Sequence, residues 1–154
     1  MNINFTRLIT NGEFGFLKIG QSKSEIENQN LVPECWLNKE SKESSRIWRY
    51  GNFELHFDDK THLSGIFNDY VNELDGGESL NVMDNWILKK GIHPTLDEVT
   101  NELNSKKLNF SKDTDSLGLI TIKLNNGVYM IFENLNDGKE ISQGDYGMTV
   151  IGKK

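Results

Sequence analysis

The sequence predicts an α+β protein: a tandem-duplicated unit of one helix followed by an antiparallel meander. The two units build one mainly antiparallel sheet, with short helices packed on one face. Two observations carry this. First, Gly20-Gln21-Ser22-Lys23-Ser24-Glu25-Ile26 has a counterpart in Gly91-Ile92-His93-Pro94-Thr95-Leu96-Asp97-Glu98-Val99. Each places a hydroxyl residue after a glycine, a glutamate three positions on, and then an aliphatic residue. Second, each half continues into a hairpin-like run, Ile47 to Phe57 and Ile120 to Phe132. The 154 residues then form a single domain of two repeats, about 1–75 and 80–154.

The elements follow in order. Residues 3–9 read as a short opening helix or strand. Phe14, Phe16 and Leu17 lead to Gly20. Ser22 is an N-cap and Glu25 completes a capping box, so a helix is predicted over 23–31 and ended by Pro33. Residues 38–45 read as a polar loop. Arg46 to Tyr50, the turn Gly51-Asn52 and Phe53 to Phe57 form a hairpin. Period-2 alternation puts Phe53, Leu55 and Phe57 on one face, and Glu54, His56 and Asp58 on the other. Asp58-Asp59-Lys60 turns the chain into a third strand, Leu63 to Tyr70.

Asp75-Gly76-Gly77-Glu78-Ser79 reads as the linker between repeats. Leu80 to Leu88 approaches Gly91 as Phe14 to Leu17 approaches Gly20. Thr95 and Glu98 form the second capping box, and the helix runs to about residue 104. Residues 104–116 read as another polar loop. Leu119 to Leu124, Asn125-Asn126-Gly127 and Val128 to Phe132 form the second hairpin. Ile141 and Tyr146 to Ile151 supply the last strands. The offset between halves drifts from 71 residues at the glycines to 75 at Phe57 and Phe132, which requires loops of different length.

Composition narrows the function. The net charge is −6 and no basic block occurs, which argues against a nucleic-acid partner, since phosphate backbones need clustered Lys and Arg. No stretch is long and apolar enough for a membrane span, and the N-terminus lacks a signal-peptide pattern. The expectation is a soluble cytoplasmic protein. Cys35 is the sole cysteine. Lying between Pro33 and Trp36, it reads as a packed, inert thiol.

No phosphate loop, dinucleotide fingerprint or nucleophile elbow is present. The sequence therefore predicts no enzyme activity and no cofactor. Glu54, His56 and Asp58 on one strand face are the residues a metal site or acid–base pair would use. Trp36, Trp48, Trp86 and Tyr50 are interface candidates by type, with core packing as the alternative for each tryptophan. If Ile47 points inward, Trp48 and Tyr50 line an outer surface with Glu54, His56, Asp58 and Asp59. Such an acidic–aromatic surface suits a basic protein partner.

The pattern Leu17-x-Ile19-Gly20-x-Ser22-x-x-Glu25-Ile26, then Pro33 and Trp36, then Trp48-x-Tyr50-Gly51 and Phe53-x-Leu55-x-Phe57, resembles a known repeat. It is that of the β-lactamase-inhibitor-protein-like fold, shared with small outer-membrane assembly lipoproteins. Residues 47–57 also resemble a segment of small bacterial proteins that look like immunity proteins of polymorphic toxins. The chain departs from the secreted inhibitors in lacking a signal peptide and disulfides, and from the lipoproteins in lacking a lipobox cysteine. The resemblance implies a cytosolic immunity protein that occludes a cognate toxin, and the chain's acidic charge makes a basic nuclease the expected toxin. A small metal protein or enzyme, or an assembly scaffold, are the alternatives.

Overall fold

A computed structural model describes residues 1–37, 41–136 and 145–154. Among them the elements run β1 (Asn2–Asn4), α1 (Phe5–Asn11), α2 (Lys23–Glu27), β2 (Cys35–Leu37), β3 (Ile47–Tyr50), β4 (Phe53–Phe57) and β5 (Leu63–Asn68). They continue with β6 (Asn81–Asp84), α3 (Leu96–Ser105), β7 (Phe110–Thr114), β8 (Ile120–Leu124), β9 (Val128–Asn134) and β10 (Tyr146–Lys153). The fold is α+β. Eight strands form one antiparallel sheet in the order β2-β3-β4-β5-β10-β9-β8-β7, and β1 pairs with β6 in a separate parallel ribbon.

That order expresses the tandem units directly. Each contributes a four-strand meander, and the last strands, β5 and β10, meet at the centre with Phe67 opposite Gly152. The first strands, β1 and β6, pair as well. Each helix start is tied to the last strand of its own unit. The Leu63 amide donates to the Gln21 carbonyl (2.7 Å), and the Met148 amide to the Pro94 carbonyl (2.8 Å).

Local chemistry sets the helix starts. Ser22 and Thr95 are N-caps with complete capping boxes, and their backbones nearly coincide (φ −73°, ψ 157° and 158°). Each satisfies two helix donors that would otherwise lack partners. The first hairpin turns through two residues with Gly51 first, at φ 55°, a conformation that favours glycine. The second uses three residues, with Gly127 at φ 86°.

Phe5, Leu8 and Ile9 of α1, Ile26 of α2, and Leu96, Val99 and Leu103 of α3 pack on the inner sheet face. There they meet Trp48, Tyr50, Phe53, Leu55, Phe57, Ile122, Met130 and Phe132. The Trp48 ring meets the Phe57 ring edge-on, with centroids 4.8 Å apart. Among the described residues all three helices therefore lie on one side, and the other face of the sheet carries no helix.

Several expectations are corrected. Residues 2–11 hold both a strand and a helix. The helix over 23–31 is only Lys23–Glu27, because Asn30 adopts φ 60° and turns the chain before Pro33 is reached. Residues 110–114 form edge strand β7 rather than loop; its polar side chains face water, so it shows no apolar alternation. The segment 75–79 is no free linker. The Glu34 carboxylate accepts from the Gly51 amide (3.0 Å) and the Glu78 amide (2.6 Å), pinning it to the first hairpin. Ile141 lies outside the described residues.

Candidate functional site

Trp48 and Tyr50 do not line a surface. They are 1% and 0% exposed, and both belong to the hydrophobic core. Ile47 points outward instead and is half-buried. Register explains the reversal: Trp48 pairs with Leu55 and Tyr50 with Phe53, so all four share the inner face. The indole Nε1 of Trp48 donates to the Lys42 carbonyl (2.9 Å), and the Tyr50 hydroxyl to the Leu31 carbonyl (3.2 Å). Burial satisfies both polar tips.

Glu54 and His56 do lie together on the outer face. His56 Nε2 is 2.8 Å from Glu54 Oε2, and Arg49 Nε is 3.8 Å from the other Glu54 oxygen. Asp58 does not join them. The register shifts between His56 and Phe57, and the Asp58 carboxylate caps the next turn, accepting from the Lys60 and His62 amides (2.9 and 2.8 Å). Those donors hold its pKa below the ordinary value. Asp59 is ion-paired with Arg46. Among the described residues no three His, Cys, Asp or Glu side chains converge as metal ligands. The Glu54–His56–Asp58 triad is therefore not assembled.

The remaining candidates are scattered. Cys35 is exposed on edge strand β2 rather than packed, and Trp36 beside it is 38% exposed. Trp86 is half-buried against the core. His93 Nδ1 is hydrogen-bonded to the Met148 carbonyl (2.8 Å).

What the sheet does assemble is a continuous outer band. The His56 ring lies 5.7 Å from that of Phe67. Phe67 opposes Gly152, and Gly152 opposes Tyr129. A Cβ added at Gly152 would sit 2.6 Å from Tyr129 ring atoms, so the tyrosine ring covers that glycine. Lys154 Nζ lies 5.4 Å from the Tyr129 ring centre, a cation–π arrangement. Beyond Tyr129, Lys123 pairs with Asp113 at 3.5 Å. A shallow depression of about 380 Å³ opens here, bordered by Thr121, Lys123, Tyr129, Ile131 and Lys154. Desolvation raises the Tyr129 pKa above its ordinary value.

Sequence reading found Glu54 and His56 through alternation. It missed Phe67, Tyr129, Lys123 and Lys154, because only the pairing of β5 with β10 joins the two halves' outer faces. No protein family, characterised protein or solved structure matches the chain. Among the described residues no helix is long and apolar enough to cross a membrane.

Proposed function

We propose that this is a non-enzymatic protein-binding protein that receives its partner on the outer face of the eight-stranded sheet. One observation carries the reading. A face with Phe67, Tyr129, Ile131 and Ile47 half-exposed, and with no helix over it among the described residues, is an open surface on an otherwise two-layer fold. Aromatic anchors among charged side chains are the usual composition of a protein interface.

The specific form of the proposal is a cytosolic immunity protein that neutralises a cognate bacterial toxin by occlusion. The resemblance of residues 47–57 to toxin-associated proteins supports it. A basic nuclease is the toxin class that the net charge of −6 would steer toward the chain.

The test is affinity capture with the tagged full chain from its source organism, followed by mass spectrometry and co-expression. The expected result is one stoichiometric partner, toxic when expressed alone and harmless when co-expressed with this chain. Absence of any stoichiometric protein partner overturns the reading.

A further inference from the structure

The second unit holds a cleft that takes no part in the open sheet face. It lies between residues 71–75, which follow β5, and residues 85–90, which follow β6, and its volume is about 460 Å³. Small-molecule sites usually fall in the range of roughly 300–1,000 Å³. None of the residues bordering it belongs to the eight-stranded sheet.

Backbone hydrogen bonds fix both walls. On the first, the Asn52 amide donates to the Asp75 carbonyl (2.8 Å) and the Glu73 amide to the Tyr70 carbonyl (2.9 Å). On the second, the Leu88 amide donates to the Asn85 carbonyl (2.9 Å) and the Ile92 amide to the Lys89 carbonyl (3.1 Å). The Gly91 amide ties the walls together through the Asn72 carbonyl (2.8 Å). The apolar lining comes from Val71 and Leu88, which are both buried in the core. A cleft so held needs little reordering to take a ligand.

The walls carry opposite charge. Glu73 and Asp75 stand on one, Lys89 and Lys90 on the other, all of them exposed. Elsewhere on the chain opposite charges within reach pair up, as do Lys42 with Glu27, Arg46 with Asp59 and Lys106 with Glu102. Here the cleft keeps them apart. Among the described residues no ion pair crosses it, and the Glu73, Lys89 and Lys90 side chains make no hydrogen bond. The Asp75 carboxylate accepts from the Gly77 amide (2.8 Å) through one oxygen. Two nearby carboxylates are engaged and do not border the cleft: Glu34 by the Gly51 and Glu78 amides, and Asp84 by the Trp86 amide (2.7 Å).

We propose that this cleft binds a small zwitterion of amino-acid to dipeptide size with an apolar side chain. Its carboxylate meets Lys89 and Lys90, its ammonium meets Glu73 and Asp75, and its side chain rests on Val71 and Leu88. A singly charged ligand would match one wall and leave the other unmet. A concavity of this size suits a small molecule better than a protein, whose interface needs roughly 800 Å² per partner. Exposed charge pairs are individually weak, so the expected dissociation constant is about 1 mM.

The probes are L-leucine and leucyl-leucine with free termini, titrated into the isotope-labelled full chain and followed by amide chemical shifts. Saturable shifts should centre on Val71, Asn72, Leu88 and Lys89. N-acetyl-leucyl-leucine and leucyl-leucinamide each lack one charge and should bind at least fivefold more weakly. Lys89→Gln/Lys90→Gln should weaken the zwitterion by the same factor, and Lys89→Arg/Lys90→Arg should retain it. Lys18→Gln, at the matching turn of the first unit, should leave binding unchanged. Affinity should fall as salt rises. No saturable shift with either probe, equal binding of the singly charged peptides, or shifts centred elsewhere each overturns the proposal.

Partner capture is then repeated with Lys89→Gln/Lys90→Gln, its fold checked by circular dichroism. A protein partner that the variant retains supports a separate small-molecule site. A partner lost with these lysines marks the cleft as a protein contact, which overturns the proposal and leaves the protein-binding reading standing.

Discussion

Trp86 occupies in the second unit the backbone conformation that Gly15 occupies in the first: φ is 55° at the tryptophan and 56° at the glycine. The surrounding turns match. The Leu17 amide donates to the Phe14 carbonyl (3.0 Å) and the Leu88 amide to that of Asn85 (2.9 Å). The Gln21 amide donates to Lys18 and the Ile92 amide to Lys89, both at 3.1 Å. A bulky residue in this left-handed region costs roughly 1–2 kcal/mol. Among the described residues the Trp86 indole Nε1 is also buried without a hydrogen-bond partner.

Position 86 should therefore invert the usual order of small residues. Trp86→Ala and Trp86→Gly both lose the ring's packing, but only glycine relaxes at positive φ. Trp86→Gly is expected to be about 1 kcal/mol more stable than Trp86→Ala. Urea denaturation of the two variants measures this, and a more stable alanine variant would show that the backbone there is not strained.

Lys23 is a buried cation with a structural task. Its ammonium donates to the carbonyls of Lys42 (3.3 Å), Glu43 (2.7 Å) and Ser45 (2.5 Å). It sits 5.2 Å from the Trp48 ring and 5.0 Å from that of Phe57. Lys23→Met keeps the stem and strips the carbonyls of their donor, so a loss of about 2 kcal/mol is expected. Lys23→Arg should not restore it, because a planar fork does not replace a compact three-donor head. Denaturation midpoints of the three proteins decide the matter.

Stability at alkaline pH should divide between two groups of opposite sign. Desolvation lowers the Lys23 pKa below 10.5, partly offset by Glu43 and Glu27. Between that lowered value and 10.5 the unfolded chain binds more protons, so this group makes stability rise with pH. Burial raises the Tyr50 pKa far above its ordinary 10.0. Its contribution is complete below pH 10 and is lost as pH climbs further, at up to about 1.4 kcal/mol per pH unit. Tyr50→Phe should flatten the decline above pH 10, at a cost of about 1 kcal/mol at neutral pH for the lost hydrogen bond. An unchanged alkaline slope in that variant would contradict the assignment.

Glu34 holds the connection between units. Removing its carboxylate in Glu34→Ala leaves the Gly51 and Glu78 amides without their acceptor. Their hydrogen exchange should accelerate by about tenfold, the loss of roughly 1.4 kcal/mol of local protection. The Leu55 and Phe57 amides in β4 should keep theirs. Equal acceleration throughout β4 would instead mark global destabilisation.

Local signals made much of the fold legible. Ser22 with Glu25 and Thr95 with Glu98 specify helix starts through contacts three residues apart, and both capping boxes form. Gly51 and Gly127 specify turns through their own backbone freedom, and both turn. Strand β7 was not legible, because Ser111-Lys112-Asp113-Thr114 owes its extended form to the neighbouring β8 rather than to an apolar face. Glu54 and His56 could be placed on one face by alternation, but not the direction of that face. Period 2 states which residues share a side and leaves open which side is buried.

By itself, then, the sequence determined the α+β class, the repeated order of helix and meander, and the sharing of faces along each strand. These depend on interactions within a few residues. Only the tertiary structure decided that Trp48 and Tyr50 face the helices, that Asp58 leaves the Glu54–His56 pair, and that Phe67 and Tyr129 belong to one surface. Each of those rests on the pairing of chain segments far apart in sequence, above all β5 with β10, and such pairing leaves no periodic mark in either strand alone.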